Sequence, residues 1–223
     1  MERSHGRTPD AACLFALILA AGSMVPAGGC APLLATGIYL WDGGNVVPAE
    51  CNALKDQRVV VVCRPPSSHE YRHAGASRNI AQRVSELMVD NLKGADIVNP
   101  REVDNWVDDN DWGDFKELAH AVHADKVVYI ELNNYELYKG KTLYQGQADV
   151  TVSVYDMKQK GKLVWDHHLG EVLYPNNSGI PAQDKSVQQF EHEFDDIVAS
   201  RVAEFFYKHD PNAGFALDGM ANQ

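Results

Sequence analysis

Apolar residues recur along this chain in three rhythms, and each predicts a different element. An unbroken β-branched run, Val59-Val60-Val61-Val62-Cys63, predicts a strand covered on both faces, stopped by Arg64-Pro65-Pro66. From about Ser77 to Lys93 the spacing becomes helical. Ile80, Val84, Leu87, Met88 and Leu92 fall on one side, and Gly94 stands where a C-terminal cap belongs. Ala95 to Val98 predicts a short strand. Asn99-Pro100-Arg101-Glu102 then reads as a helix start, with Asn99 as cap, Pro100 in the first turn and Glu102 reaching back to the cap. Val103, Trp106 and Val107 give that helix its apolar side, and Asp108 to Asp111 end it. Asp114 and Glu117 form a second capping pair, opening a helix that buries Phe115, Leu118, Ala119 and Val122.

The rhythm then shifts to alternation. Val127 to Tyr138 predicts a strand, Lys139-Gly140-Lys141 a tight turn, and Leu143 to Tyr155 the returning strand. Ala148, Val150, Val152 and Val154 share one face of it, and Asp149, Thr151 and Ser153 the other, which means one covered and one wet face. Lys158 to Lys162 turns again into a strand from Leu163 to Tyr174. After a polar loop with Pro175, Asn176, Asn177 and Pro181 comes the strongest amphipathic helix, marked by Val187, Phe190, Phe194, Ile197, Val198, Val202, Phe205 and Phe206. The order is β-α-β-α-α-β-β-β-α. It predicts an α+β fold: a mixed sheet with a parallel, right-handed first βαβ unit, a C-terminal antiparallel meander, and helices packed on one main face. The domain is expected over 57–208, with a loose tail at 209–223.

The N-terminus carries a different signal. Ala11 to Gly22 is apolar but shorter than the roughly 20 residues a membrane span needs, and it suits the core of a signal peptide. Arg3 and Arg7 flank it, offset by Glu2 and Asp10. Ala27-Gly28-Gly29-Cys30 resembles the lipobox of bacterial lipoproteins, with Ala27 in place of the usual Leu. That resemblance implies cleavage before Cys30 and lipidation of its thiol, so that 1–29 is a signal peptide and 30–56 a tether. Val25-Pro26-Ala27 also fits ordinary cleavage after Ala27, and a buried helix is a third reading. Cysteine parity favours lipidation. With Cys13 removed and Cys30 acylated, Cys51 and Cys63 are left as an even pair in an oxidising space, able to close a disulfide. The alternative for Cys63 is burial as a small hydrophobe at a strand end.

The net charge of −11 survives removal of 1–29, because the two acids and two bases there cancel. Such a surface disfavours nucleic acid and charge-driven adhesion to anionic head groups. The expected partners are therefore a membrane, reached through the lipid on Cys30, and an envelope protein.

Two stretches carry a family resemblance, Ala-Asp-Ile-Val-Asn-Pro-Arg-Glu-Val at 95–103 and His-Ala-Asp-Lys-Val-Val-Tyr-Ile-Glu-Leu at 123–132. A later Asp156, a turn and Trp165 add to it. With the order of elements, they resemble the α/β domain of the curli-secretion lipoproteins, the lipoprotein activators of penicillin-binding proteins and the N-terminal domain of the Tol translocation protein. The chain departs from these at 157–162, where Met-Lys-Gln-Lys-Gly-Lys replaces a Thr-Gly turn, and it lacks a second membrane-inserting hairpin. The resemblance implies a non-enzymatic adaptor or assembly module.

Residues that could carry chemistry are sparse. His120 and His123 share a helix face and are the best metal candidates; the expectation is nonetheless of no metal and no cofactor. His167 and His168 are adjacent in a strand and point to opposite faces. His69 and His73 flank Glu70 and Tyr71. No His-Glu-x-x-His, Cys-x-x-Cys, Gly-x-Ser-x-Gly or phosphate loop occurs. Asp108/Asp109 and Asp195/Asp196 read as solvated charge. Tyr135, Tyr138 and Tyr144, around the Lys139–Lys141 turn, are the candidate partner surface, against the alternative that they cover the sheet edge. The functions in view are a lipid-anchored envelope interaction module without catalytic activity, a component of an envelope secretion or transport assembly, and a metal-dependent hydrolase.

Overall fold

The structure is a computed structural model that describes residues 46–64, 74–110, 114–176 and 178–211. Cys30, the expected signal peptide, most of the expected tether, His69, His73 and residues 212–223 lie outside the described residues.

The valine run forms β1 (Arg58–Arg64), and Val59 to Val62 are all buried, as a strand covered on both faces must be. Helix α1 (Ala74–Asn91) follows, then β2 (Asp96–Ile97), α2 (Pro100–Asp109) and α3 (Phe115–Ala121). The meander consists of β3 (Lys126–Lys139), β4 (Leu143–Asp156) and β5 (Lys162–Tyr174). A two-residue β6 (Ile180–Pro181) precedes α4 (Val187–Ala203). The sheet order is β2-β1-β3-β4-β5, with β6 pairing on β4. Strand β1 is parallel to β2 and β3, whereas β3, β4 and β5 are antiparallel neighbours. This is the expected mixed sheet with its antiparallel C-terminal meander.

Local chemistry sets the helix starts. The Asn99 side chain accepts from the Arg101 amide, Asp114 from the Lys116 amide and Ser186 from the Gln189 amide. Glu102 does not reach back to its cap. Its carboxylate instead lies 3.7 Å from the Arg58 guanidinium, drawn there by the cation at the start of β1.

The long helices α1 and α4 pack on one main face of the sheet. Ile80, Val84 and Met88 of α1 and Phe190, Phe194, Val198 and Val202 of α4 form one core with Val59, Val61, Val128, Ile130, Val150, Val152 and Val154. The short helices α2 and α3 cover only the beginning of the other face, over Val60, Val62 and Val127. There Phe115 rests against Tyr129 and Tyr155, with ring centroids 5.3 and 4.4 Å away.

The tether ends earlier than its expected limit. Residues 46–56 lie on the domain: the Glu50 and Cys51 amides both donate to Phe205 O, and Cys51 and Leu54 are buried. The tail also begins later than His209, which exchanges backbone hydrogen bonds of 2.8 and 3.0 Å with Val47. Phe205 and Phe206 lie in the turn after α4 rather than in the helix, yet remain buried.

Helix α4 sits very close to the sheet at one point. A Cβ at Gly146 of β4 would meet the Phe194 ring at 2.4 Å. Gly146→Ala is therefore expected to cost about 1–3 kcal/mol by overpacking. Phe194→Ala, at a fully buried site, should cost about 3–5 kcal/mol. Denaturant unfolding checks both, and Gly146→Ala combined with Phe194→Leu should lose less than the two single changes added together, because they act on one contact.

Candidate functional site

The sequence-derived candidates separate in space. Cys51 and Cys63 are free thiols, both buried, not a disulfide. Cys51 lies within electrostatic reach of Lys126, the register partner of Val59, whereas the Cys63 thiol lies against Ser77. Burial pushes both thiols up.

The tyrosine cluster is mostly core. Tyr135 is 1% exposed, and Tyr144 is buried with its ring stacked on Phe190, centroids 5.1 Å apart. Tyr138 alone of the three is exposed, leaning on Tyr144 at 5.1 Å. Register shifts between Leu132 and Asn134 and between Glu136 and Tyr138 account for this. Each bulge transfers the following residue to the other face, so Tyr135 points into the core behind Leu132.

That placement exposes a group the acid pairs concealed. Asp195 is 1% exposed, between α4, α1 and β3. The Tyr135 hydroxyl donates to its Oδ1 at 2.7 Å, and Asn79 Nδ2 donates to its Oδ2 at 3.1 Å. Asp196, next in sequence, stays half-exposed beside Arg83. Helical spacing held the signal: Asp195 precedes Val198 and Ala199 by three and four positions and so shares their buried side. Burial pushes the Asp195 carboxyl up to about 7, although the two hydrogen bonds and His192 pull the other way and Glu191 adds repulsion.

The histidines do not assemble. His120 and His123 are both exposed on the α3 side, and among the described residues no group of three or more His, Cys, Asp or Glu is placed to hold a metal ion. His167 faces the core side, 3.3 Å from Glu50 and between the Trp165 and Phe205 rings. His168 faces the opposite side, as strand alternation requires.

That opposite side is the distinctive surface of the described residues. Beyond the cover of α2 and α3, the outer face of β3, β4 and β5 is lined by Asn133, Asn134, Gln145, Gln147, Thr151, Ser153 and His168. On these three strands the same face carries carboxylates at Glu131, Glu136, Asp149, Asp166 and Glu171, against a single lysine, Lys139 at the tip of β3. Arg64, at the end of β1, borders the face and bonds to the Tyr129 hydroxyl. A hydrogen-bond chain crosses the strands. Asn133 Nδ2 donates to Thr151 Oγ1 at 3.1 Å, and Thr151 Oγ1 lies 3.2 Å from His168 Nδ1. His168 Nε2 is 3.6 Å from Asp149 Oδ1, and Gln147 donates to Glu171. Cross-strand bonding of this kind fixes the rotamers of a face without burying it.

A cleft of about 530 Å³ opens beside β5, the last strand in the sheet order, bounded by the end of α4 and the segment Tyr207–Asp210.

No protein-family model matches this chain, and no curated protein matches it. Solved structures do. A point variant of the PelC dodecamer from Paraburkholderia phytofirmans is 13% identical with a TM-score of 0.44, over 73% of this chain and 96% of that one. Lipoprotein GNA1162 from Neisseria meningitidis is 11% identical with a TM-score of 0.38, over 74% and 97% of the two chains. The hypothetical protein CT253 from Chlamydia trachomatis is 12% identical with a TM-score of 0.36, over 67% and 96%. These are distant likenesses, and none is one of the three groups named from the sequence.

Asp195 makes stability depend on pH. Its native pKa lies above the unfolded value, so the native state holds the proton more tightly and the contribution is complete at low pH. It is lost as pH rises through the window from about 4 to about 7. Glu191, also raised by burial, acts in the same sense. Unfolding free energies measured across this window should fall with rising pH, and Asp195→Asn should flatten the slope.

Proposed function

We propose that this chain is a lipid-anchored interaction or assembly module of the bacterial cell envelope, facing the periplasm and without catalytic activity. The observation that carries the reading is the bare outer face of β3–β5, polar, acidic and internally bonded. Sheets leave one face wet routinely, but five carboxylates against one lysine on these strands, with Arg64 at the border, form a net acidic field that attracts positive charge. The partner is an envelope protein presenting basic residues. Such surfaces raise association rates and select partners more than they add raw affinity.

Cys30 supplies the anchor. The apolar run before it, the small residues at 27–29 and the parity of the remaining cysteines support this reading. The resemblance of 95–103 and 123–132 to the curli-secretion, penicillin-binding-protein-activator and Tol proteins supports the same compartment and a non-enzymatic role. Val46, where the compact unit begins, leaves 15 residues between it and Cys30 as tether.

Two experiments test this. Cys30→Ser should leave the precursor uncut or release the protein from the membrane; normal processing with retention in the detergent phase would sink the anchor. Glu136→Lys with Asp166→Lys should leave the melting temperature nearly unchanged and abolish crosslinks to the partner in native envelopes. Crosslinks that persist, with unchanged salt dependence, would remove the face from the interaction.

A further inference from the structure

The chain is acidic, with a net charge of −11, yet lysines gather at the end of the sheet where β4 turns into β5. Lys158, Lys160 and Lys162 come from that turn, and Lys116 comes from α3. The Lys116 stem lies across Gly161, where an added Cβ would meet its Cε at 2.8 Å. A glycine at a φ of +75° leaves room for that approach. Lys116 has Asp114 at 3.7 Å, and Lys158 has Asp125 at 3.0 Å. Lys160 and Lys162 are exposed and form no ion pair among the described residues. The turn therefore keeps uncompensated positive charge on an acidic molecule.

Beside the lysines stand Leu163 and Val164, 44% and 38% exposed. A regular strand sends one of two successive residues to its covered face. Here Val154 pairs with Trp165 and Tyr155 with Leu163, so Val164 is an extra residue without a partner on β4. That bulge leaves both aliphatic side chains outside the core. Leu163 extends the apolar ground of Tyr155 and Phe115, and Lys116 Nζ stands 5.9 Å from the Phe115 ring centre. Lysines near a sheet edge often serve only to deter pairing. Lys116 and Lys160 are not in the strand, however, and that role gives no reason for exposed aliphatic residues beside them.

We infer that this end of the sheet docks on the membrane surface, with its lysines on anionic phospholipid head groups and Leu163 and Val164 in the interfacial region. The aliphatic pair decides between occupants. An acidic protein, or the acidic β3–β5 face of a second copy, would satisfy the lysines and leave Leu163 and Val164 against polar groups. A bilayer interface offers phosphates and acyl carbon together. The net charge opposes adhesion of the molecule as a whole. Charges beyond a Debye length of about 10 Å are screened, however, so the local excess governs the contact. The inference rests on the proposed anchor only for bringing the domain to the bilayer. Once two sites are linked, the second binds at high effective concentration, and a weak contact suffices to set orientation. Contact at a strand end leaves the polar outer face clear of the bilayer and open to its partner.

The test is hydrogen exchange on the purified full chain mixed with vesicles, one set of phosphatidylcholine and one with about a third phosphatidylglycerol. Amides of 157–164 should exchange about threefold more slowly on the second set, and about 0.5 M sodium chloride should remove the difference. Lys160→Glu with Lys162→Glu should abolish it. Leu163→Thr with Val164→Thr should abolish it too, with the melting temperature nearly unchanged because both residues are exposed. Equal exchange on the two vesicle sets overturns the inference. Protection that survives the threonine pair is contact by charge alone and also overturns it. Protection confined to native envelopes, with crosslinks from this turn to a protein, would assign the lysines to an acidic partner instead. Protection that grows with protein concentration in detergent would assign them to a second copy. Sedimentation of the same samples keeps the anchor separate. A chain that stays with both vesicle sets is anchored, whatever its exchange shows. One that stays only with the phosphatidylglycerol set lacks the lipid but makes the contact, and one that stays with neither has neither.

Discussion

Helix α4 can lie on this sheet because position 146 has no side chain. The Phe194 ring occupies the volume that a Cβ there would need. Phe190 and Tyr144 stack in the next layer, and Tyr174 follows at 6.1 Å from Phe190. This aromatic layer is held between α4 and the meander, so the tilt of the helix, the direction of β5 and the placing of the segment after the helix all follow from one close approach. Interiors are packed to crystal-like density, and a contact of this kind leaves no slack for neighbouring elements to shift.

The same packing accounts for the buried carboxyl. Asp195 is carried inward by a helix whose register is fixed by Phe190, Phe194 and Val198. It is tolerated because Tyr135 and Asn79 supply donors where water cannot. A buried polar group without partners would cost more than the helix could recover from its apolar neighbours. Tyr135 and Asp195 therefore depend on each other. The bulge in β3 that turns Tyr135 inward also takes that ring away from the surface at the tip.

Asymmetry between the two sheet faces gives the molecule its exposed chemistry. One main face is sealed by two long helices. The other is sealed only where α2 and α3 reach, and the remainder is left to side chains that bond with one another across strands. A second asymmetry lies in the edges. Strand β2 is two residues long and offers little to pair with, while β5 is long and bordered by a wall.

How much of this was legible beforehand depends on the range of the interaction. Local patterns determined the elements: the valine run made β1, alternation made β3–β5, and Asn99 and Asp114 announced their helices through bonds spanning two residues. The α+β class and the antiparallel meander follow from the order of those elements. Long-range packing decided the rest. Cys51 and Cys63 look like a pair in one dimension, yet both are free and buried, Cys51 ahead of β1 and Cys63 within it. Asp195 looks like its neighbour Asp196, yet a single step of helical phase separates burial from solvent. Tyr135 and Tyr144 look like a turn's decoration, yet bulges that no periodicity reveals and the packing of α4 place them in the core. The cleft beside β5 joins residues 171–174 with 197–210, and only the fold could bring the edge of one strand against the turn that closes the chain.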